Sequence, residues 1–467
     1  MVFTTHIFLF YFLPAVLLIY YSLPFKWRNL FLTLASYVFY GWWEPWFVVL
    51  MMISTVVDYF CGRAISRPGA TQTQRLGGLL TAIFCDMGLL AFFKYYTFTA
   101  ENLNKLLHLV GPHLLPVLQI TLPIGISFYT FESMSYTIDV YRGVVKPARS
   151  FSDLSCFISL FPHLVAGPIV RYNVIAEQLA AREHSWEKFS TGVALFIVGF
   201  AKKILLANPM GGVADAVFTA QSPYFLDAWF GVIAYAFQIY FDFSGYSDMA
   251  VGLSRMFGLV IPKNFASPYR AESITDFWRR WHISLSTWLR DYLYVPMGGN
   301  RQSQLRTYFN LTVVMLLGGL WHGASWTFVI WGAYHGILLA FERWFGKRTL
   351  YAWLPYSGRV AVTFVLVLFS WVLFRSTSFP HALSYLKSMF GGASSGGASL
   401  LLASEIYTPH SLTIFGLCTL LSFQRLEVYD WVEGLNWTRS IVLVPLLVLA
   451  VMTMFTQTFN PFLYFQF

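Results

Sequence analysis

Apolar residues run through this chain in long blocks separated by short polar stretches. A helix needs about 20 apolar residues, within a range of about 17–25, to cross the hydrocarbon core of a bilayer. On that rule the pattern predicts spans near 6–23, 28–43, 45–65, 76–96, 115–141, 189–207, 227–256, 306–320, 324–342, 358–375, 408–424 and 440–459. The segment 306–320 is short enough to be re-entrant. The segment 152–172 contains Pro162, His163, Gly167, Pro168 and Arg171, and reads as a broken or re-entrant element. Such backbone is tolerated only where protein or a wet cavity surrounds it. Two polar stretches read as loops outside the membrane, Phe98–Leu114 and Ser376–Pro409. The Gly/Ser-rich tract Gly391–Ser399 in the second has the composition of a flexible linker or loop tip. Neither loop is long enough for a separate catalytic domain, and no fixed-period repeat is evident. The expectation is an all-α polytopic membrane protein of about 11–12 spans, one membrane-embedded domain over 1–467 with its chemistry inside the bundle.

Composition supports this class. The chain is 57% hydrophobic, 19% aromatic and only 11% charged, with a mean hydropathy of +0.57. Soluble domains carry about 25% charged residues. The formal net charge of +9 fits orientation in the membrane and anionic lipid headgroups, and is not read as nucleic-acid binding. Cys61, Cys85, Cys156 and Cys418 are scattered along apolar segments without metal spacing or a disulfide framework, and read as inert thiols. The opening residues lack the positive region of a secretory signal, so Ile7–Leu23 reads as a retained first span. Lys26 and Arg28 follow that span and no basic residue precedes it, which places the N-terminus outside, on the periplasmic side. Successive crossings then put Arg63, Arg67, Arg75, Arg142, Lys146, Arg149 and the stretch Arg255–Arg306 inside. Lys94, Lys105, Lys202 and Lys203 fit that scheme less well.

The polar residues that could do chemistry gather in Thr275–Trp326, within a core of about 230–345. Asp276–Tyr292 has the pattern of a helix. Asp276 can pair with Arg279 or Arg280 at i+3 and i+4, and Trp278, Trp281, Leu285, Trp288 and Tyr292 make an apolar stripe. A basic, tryptophan-striped helix suggests an element in the headgroup plane. His282 borders that stripe, either as an interfacial anchor or as a functional group. His322 lies between Trp321 and Gly323, after Gly318 and Gly319. An ionisable group in so apolar a setting is costly without a partner and is a functional candidate; its pKa range suits proton transfer. The bland alternative is a histidine that ties two helices together. His335 reads as a packing or hydrogen-bonding residue. Asp242 and Asp248, in Asp242-Phe243-Ser244-Gly245-Tyr246-Ser247-Asp248-Met249, could orient a histidine, line a polar tunnel or pair with arginine. Glu132 and Asp139 invite similar structural explanations. Gly298-Gly299-Asn300 makes a turn, and with Arg301 could lie against a phosphate-bearing donor. No phosphate loop, dinucleotide fingerprint or His-Glu-x-x-His zinc motif occurs, and no metal site is assigned.

The run Phe265–Arg301, with Pro268-Tyr269, Asp276-Phe277-Trp278-Arg279-Arg280-Trp281-His282-Ile283-Ser284 and Gly298-Gly299-Asn300-Arg301, resembles the membrane-bound O-acyltransferase (MBOAT) family, as does Trp321-His322-Gly323-Ala324. The Asp242–Met249 block, the opening Met1-Val2-Phe3, Ala35–Trp43 and the ending Asn460–Phe467 resemble its bacterial polysaccharide O-acetylation branch, which acts on alginate or cellulose. The likeness covers nearly the whole chain and departs at neither histidine motif. It implies a funnel-shaped bundle with a tunnel, in which His322 is the catalytic histidine at the narrow point and His282 the second characteristic polar position.

The resemblance further implies an O-acetyltransferase of the bacterial inner membrane, with no bound cofactor and with acetyl-CoA as the donor substrate. The acetyl group would pass to an exopolysaccharide, directly or through a periplasmic or membrane-anchored acetyltransferase partner and the exopolysaccharide machinery. Arg279, Arg280, Arg290 and Arg301 would meet the donor phosphates. His322 would act as general base or carry a transient acyl group, with His282 positioning the donor or stabilising an oxyanion. Asp242, Asp248, Trp321 and Asn300 would bind substrate or support the histidines. The alternatives from other classes are a transporter or channel using Asp242, Asp248, His282 and His322 as a proton path, and a non-catalytic scaffold. A lipid O-acyltransferase is the alternative within the enzyme class.

Overall fold

The computed structural model describes residues 1–108, 111, 115–220, 222–346, 349–392, 398–457 and 462–463, the side chains of 398–401 excepted. Among these residues all regular structure is helical. Helices occupy every stretch predicted to span, the stretch 115–141 only in part. Five are long and apolar enough to cross a bilayer: Trp46–Ile65, Gln72–Leu107, Trp186–Thr219, Tyr356–Arg375 and Trp437–Thr456. Phe8–Ser22 and Pro409–Phe423 are shorter apolar helices. Other predicted spans carry many buried polar groups. The helix Ile126–Arg142, for example, buries Ser127, Thr130, Glu132, Ser133, Ser135 and Thr137.

Some boundaries differ from the sequence expectation. Residues 115–125 are not helical, and the helix starts only at Ile126, after a left-handed Gly125. Phe98–Leu114 is not all loop, because the preceding helix continues to Leu107. Ser376–Pro409 is not a plain loop either. Ser378 caps the helix Phe379–Met389, and a further helix covers Ala398–Ile406. In the Gly/Ser tract, 393–397 fall outside the described residues, as do 458–461 and 464–467 of the chain's ending.

The chain forms two compact units, Met1–Phe196 with Met249–Pro262, and Ile197–Asp248 with Lys263–Phe467. In the first unit the broken stretch is real: helices Phe151–Ser159, Phe161–Leu164 and Tyr172–Ala180 surround irregular backbone. Buried irregular backbone needs partners, and Glu132 supplies one. Its Oε1 accepts from the Val170 N–H at 3.0 Å and lies 2.8 Å from His163 Nδ1. Glu132 and His163 are both fully buried, so the pair is a tie within this unit. The cysteines are free thiols; Cys61, Cys156 and Cys418 are buried.

In the second unit the helices Gln304–His322 and Trp326–Trp344 form a tight hairpin. A Cβ at Gly319 would come 2.2 Å from the Phe328 carbonyl oxygen, and one at Gly332 2.4 Å from that of Met315. Small residues that let backbones approach are a common means of packing membrane helices. The close approach sets where His322, the last residue of the first helix, is presented. A second close approach lies at Gly245, where a Cβ would stand 2.7 Å from the Gly199 carbonyl. It is flanked by two ion pairs, Lys202 Nζ to Asp248 Oδ2 at 2.7 Å and Lys203 Nζ to Asp242 Oδ1 at 2.5 Å. Two of the basic residues that fitted the orientation scheme poorly are therefore internal partners.

Gly319→Ala and Gly332→Ala should each destabilise the second unit by about 1–3 kcal/mol through overpacking. Gly77→Ala, where an added methyl meets nothing, should be neutral. Thermal unfolding of the detergent-purified protein checks this, and equal midpoints in all three variants would refute the hairpin packing.

Candidate functional site

The predicted helix Asp276–Tyr292 is two helices. Ile274–Arg280 ends at Trp281, His282 adopts a left-handed backbone with φ 43°, and Ile283–Leu289 follows. Left-handed backbone costs a non-glycine residue about 1–2 kcal/mol, so something must hold the bend. Asn264 holds it. Its carbonyl accepts from the Ile283 N–H at 2.9 Å. Its side-chain Oδ1 accepts from the Ser284 N–H at 3.1 Å and from Ser284 Oγ at 2.9 Å, and lies 3.2 Å from His282 Nδ1. Asn264 Nδ2 donates to Ser247 Oγ at 3.1 Å. Local periodicity cannot register a partner 18 positions upstream.

An amide oxygen only accepts, so His282 Nδ1 carries the proton and Nε2 is the basic atom. Asn264 and His282 are both fully buried. Burial pushes the His282 imidazole down to about 3, which keeps it neutral at physiological pH. Its ring packs edge-on to Phe243 at 4.7 Å and lies 5.9 Å from Trp321. The tryptophan stripe is not an interfacial face: Trp281, Leu285, Trp288 and Tyr292 are buried, and Trp281 packs on Phe277, Phe265 and Trp371.

His322 is 6% exposed and caged by rings: Trp321 at 5.0 Å, Phe374 at 5.1 Å and Trp331 at 5.2 Å, each near perpendicular. Trp321 thus contacts the rings of both histidines. His322 and Trp331 also belong to the walls of two cavities. One, of about 560 Å³, has Arg279, Arg290 and Arg343 on its polar side and Leu285, Val314 and Met315 on its apolar side. The other holds only about 20 Å³, room for one water, among Asp242, Phe243, Trp281, Trp371 and Phe374. His322 therefore stands where a wide basic cavity gives way to a narrow apolar space.

Several expected residues converge here and others do not. Arg279 faces the wide cavity. Its helix is anchored by Glu342, whose carboxylate accepts from the N–H groups of Ile274 at 2.7 Å and Thr275 at 2.9 Å. Arg280 is outside the wall and pairs with Asp276 at 2.9 Å. Asp242 lines the narrow space but pairs with Lys203, and its Oδ2 accepts from the Leu463 N–H at 2.8 Å. Among the described residues it orients no histidine and pairs with no arginine. Asp248 pairs with Lys202 and faces a different cavity. Gly298–Asn300 is a turn with both glycines at positive φ. Asn300 lines a small surface cavity beside Arg343, and Arg301 is exposed and lines neither wall. His335 is buried, with Nδ1 accepting from Trp278 Nε1 at 3.3 Å. Sequence reasoning missed Asn264, Trp331, Glu342 and Arg343. Trp331 and Arg343 lie on one regular helix, but nothing local says which cavity they meet.

The sequence profile of the membrane-bound O-acyltransferase family, MBOAT, matches residues 119–381. The probable alginate O-acetylase AlgI of Pseudomonas putida is 42% identical over 487 residues, covering all of both chains. Its counterpart in Azotobacter vinelandii is 41% identical over 504 residues, again covering both fully. The peptidoglycan O-acetyltransferase of Helicobacter pylori is 34% identical over 520 residues, covering 100% of this chain and 98% of its own.

Asn264→Asp tests the clamp on His282. The carboxylate keeps the acceptor at Nδ1–H but favours the imidazolium, so the His282 pKa rises and the neutral ring is lost at higher pH. The acid limb of the pH–activity profile should move up by about 1–3 units, and Asn264→Ala should lose both stability and activity. An unmoved acid limb in a folded Asn264→Asp protein would break the link between the clamp and His282.

Proposed function

This chain belongs to the membrane-bound O-acyltransferase family and is an O-acyltransferase, and from that premise we propose that it moves acetyl groups from acetyl-CoA on the cytoplasmic side of a bacterial inner membrane to an exported polysaccharide. What carries the reading is His322 at the inner end of an arginine-lined cavity, in a chain alignable end to end with alginate O-acetylases. Alginate is accordingly the first acceptor to test; the peptidoglycan O-acetyltransferase relative makes peptidoglycan the second.

Arg279, Arg290 and Arg343 suit the phosphates of a coenzyme A donor, since guanidinium forks match phosphate oxygens. The thioester then reaches toward His322 with the acetyl group at the narrow end. His322 takes the proton from the attacking hydroxyl, the hydroxyl oxygen bonds to the acetyl carbon, and the thiolate leaves and is protonated. His282, neutral and locked by Asn264, positions the donor beside that centre through Trp321. A periplasmic acetyltransferase, within the exopolysaccharide machinery, receives the acetyl group where transfer to polymer is not direct. Asp242 and Lys203 hold the wall behind the reacting groups.

His322→Ala should lower transfer from radiolabelled acetyl-CoA by the purified protein about 10²–10⁴-fold and remove acetyl from the exopolysaccharide at unchanged membrane abundance. Full transfer would end the assignment to His322, and labelled polymer from a His322→Ala strain would favour a scaffold. Arg279→Ala and Arg343→Ala should each raise the KM for acetyl-CoA about tenfold, equivalent to one charged hydrogen bond, with kcat little changed. An unchanged KM in both would exclude that cavity as the donor site.

A further inference from the structure

The largest of the cavities described in this unit stands apart from the site at His322. It measures about 690 Å³ and does not include His322 in its wall. Its inner wall is the face of Phe225–Met256 that bears Phe241, Ser244 and Asp248. Its outer wall comes from Pro409–Phe423 and Trp437–Thr456, two apolar helices of the membrane region. Leu417 and Leu449 on these helices are 43% and 54% exposed while also lining the cavity. The space is therefore bounded on one side by exposed apolar side chains of these two helices.

One end is polar in a particular way. Lys202 and Asp248 pair across it at 2.7 Å, and Glu427, also in the wall, pairs with Lys263 at 2.5 Å. Ser244, 1% exposed, lines the same end, and its hydroxyl has no hydrogen-bond partner. Counting Lys263, which pairs with Glu427 from outside the wall, two lysines and two carboxylates sum to zero charge, so an anionic headgroup gains nothing overall. A headgroup carrying both signs does gain, with its phosphate beside the lysines and its ammonium beside the carboxylates. An apolar outer wall gives a water-soluble sugar or nucleotide little to bind, whereas an acyl chain matches Leu417 and Leu449.

We propose that this cavity binds a zwitterionic phospholipid, headgroup at the Lys202–Asp248 and Lys263–Glu427 pairs and one acyl chain between the helices Pro409–Phe423 and Trp437–Thr456. The site is distinct from the one at His322 and stands whatever the donor and acceptor prove to be. It lies on the opposite flank of the helix whose Asp242 and Phe243 line the narrow space. Lipid there supports that helix from behind.

The test is thermal unfolding of the full-length protein, stripped of lipid in detergent and titrated with dioleoyl phosphatidylethanolamine or with dioleoyl phosphatidylglycerol, which has the same chains and a net negative head. The expected result is a rise in Tm of about 3 °C or more with the zwitterionic lipid, as for any ligand of the native state, and less than half that with the anionic one. Leu449→Trp fills the space between the two apolar helices and should abolish the shift; Leu417→Trp, on the other helix of that wall, repeats the test if the first variant does not fold. An equal or larger rise with the anionic lipid overturns the headgroup argument. A rise that survives in both tryptophan variants places the lipid elsewhere and also overturns it. Lost acyl transfer in the tryptophan variants, with no lipid shift in the unsubstituted protein, would instead make the cavity an acceptor route.

Discussion

Lys202 and Lys203 stand side by side on one helix, and each is held by an aspartate of the helix Phe225–Met256. Inside an apolar bundle this arrangement is close to compulsory. Stripping water from an ion costs several kcal/mol, and removing one partner of a buried pair costs about 3–5 kcal/mol because it strands the other. The two aspartates lie six residues apart with Gly245 between them, at the point where that backbone meets Gly199. The crossing therefore fixes the helix in both depth and rotation. With rotation fixed, Ile239, Asp242 and Phe243 turn to the narrow space at His322, and Tyr240, Phe241, Ser244 and Asp248 turn to the larger cavity. Both cavities inherit their walls from the same two ion pairs.

The histidines are placed by different means. His322 ends a regular helix whose position is set by glycines against the next helix, so backbone proximity does the work. His282 sits in a strained bend, and its position rests on one side chain, Asn264, from a segment that is not adjacent in sequence. Backbone strain of this kind persists only where surrounding contacts over-determine it. Four contacts from one buried asparagine, together with Phe243 against the ring, meet that condition.

Much of this was legible in the sequence. Apolar runs located the helices, the prolines and glycines after Pro162 marked a broken stretch, and the histidine motifs with their flanking residues pointed to the acyltransferase family. What escaped was non-local. The Asp276–Tyr292 pattern is periodic enough to read as one helix because its break is imposed from Asn264. Its tryptophans read as interfacial because composition cannot tell a bilayer boundary from an aromatic core. Lys202 and Lys203 read as topological misfits because charge counting assumes that basic residues face water. Asp242 and Asp248 were rightly flagged as costly to bury, but the identity of their partners depended on a helix crossing some 40 residues away. Glu342 gave no signal at all, since a carboxylate at a helix end is common and its acceptance of two N–H groups is purely tertiary.

The narrow space beyond His322 has walls that are not independent of one another. Trp331 stacks with Trp371 at 6.4 Å, and Trp371 packs on Trp281 at 5.0 Å and on Phe374 at 5.5 Å. Shortening any one ring would open a void bounded by the others, and such voids cost stability in proportion to their volume. It would not open a continuous path, because the neighbouring rings still close it. A wall built this way behaves as a gauge with a single setting, because widening it would require several aromatic rings to be rebuilt together. The width of that space is then hard to change by stepwise substitution, since each single shortening lowers stability without opening a path.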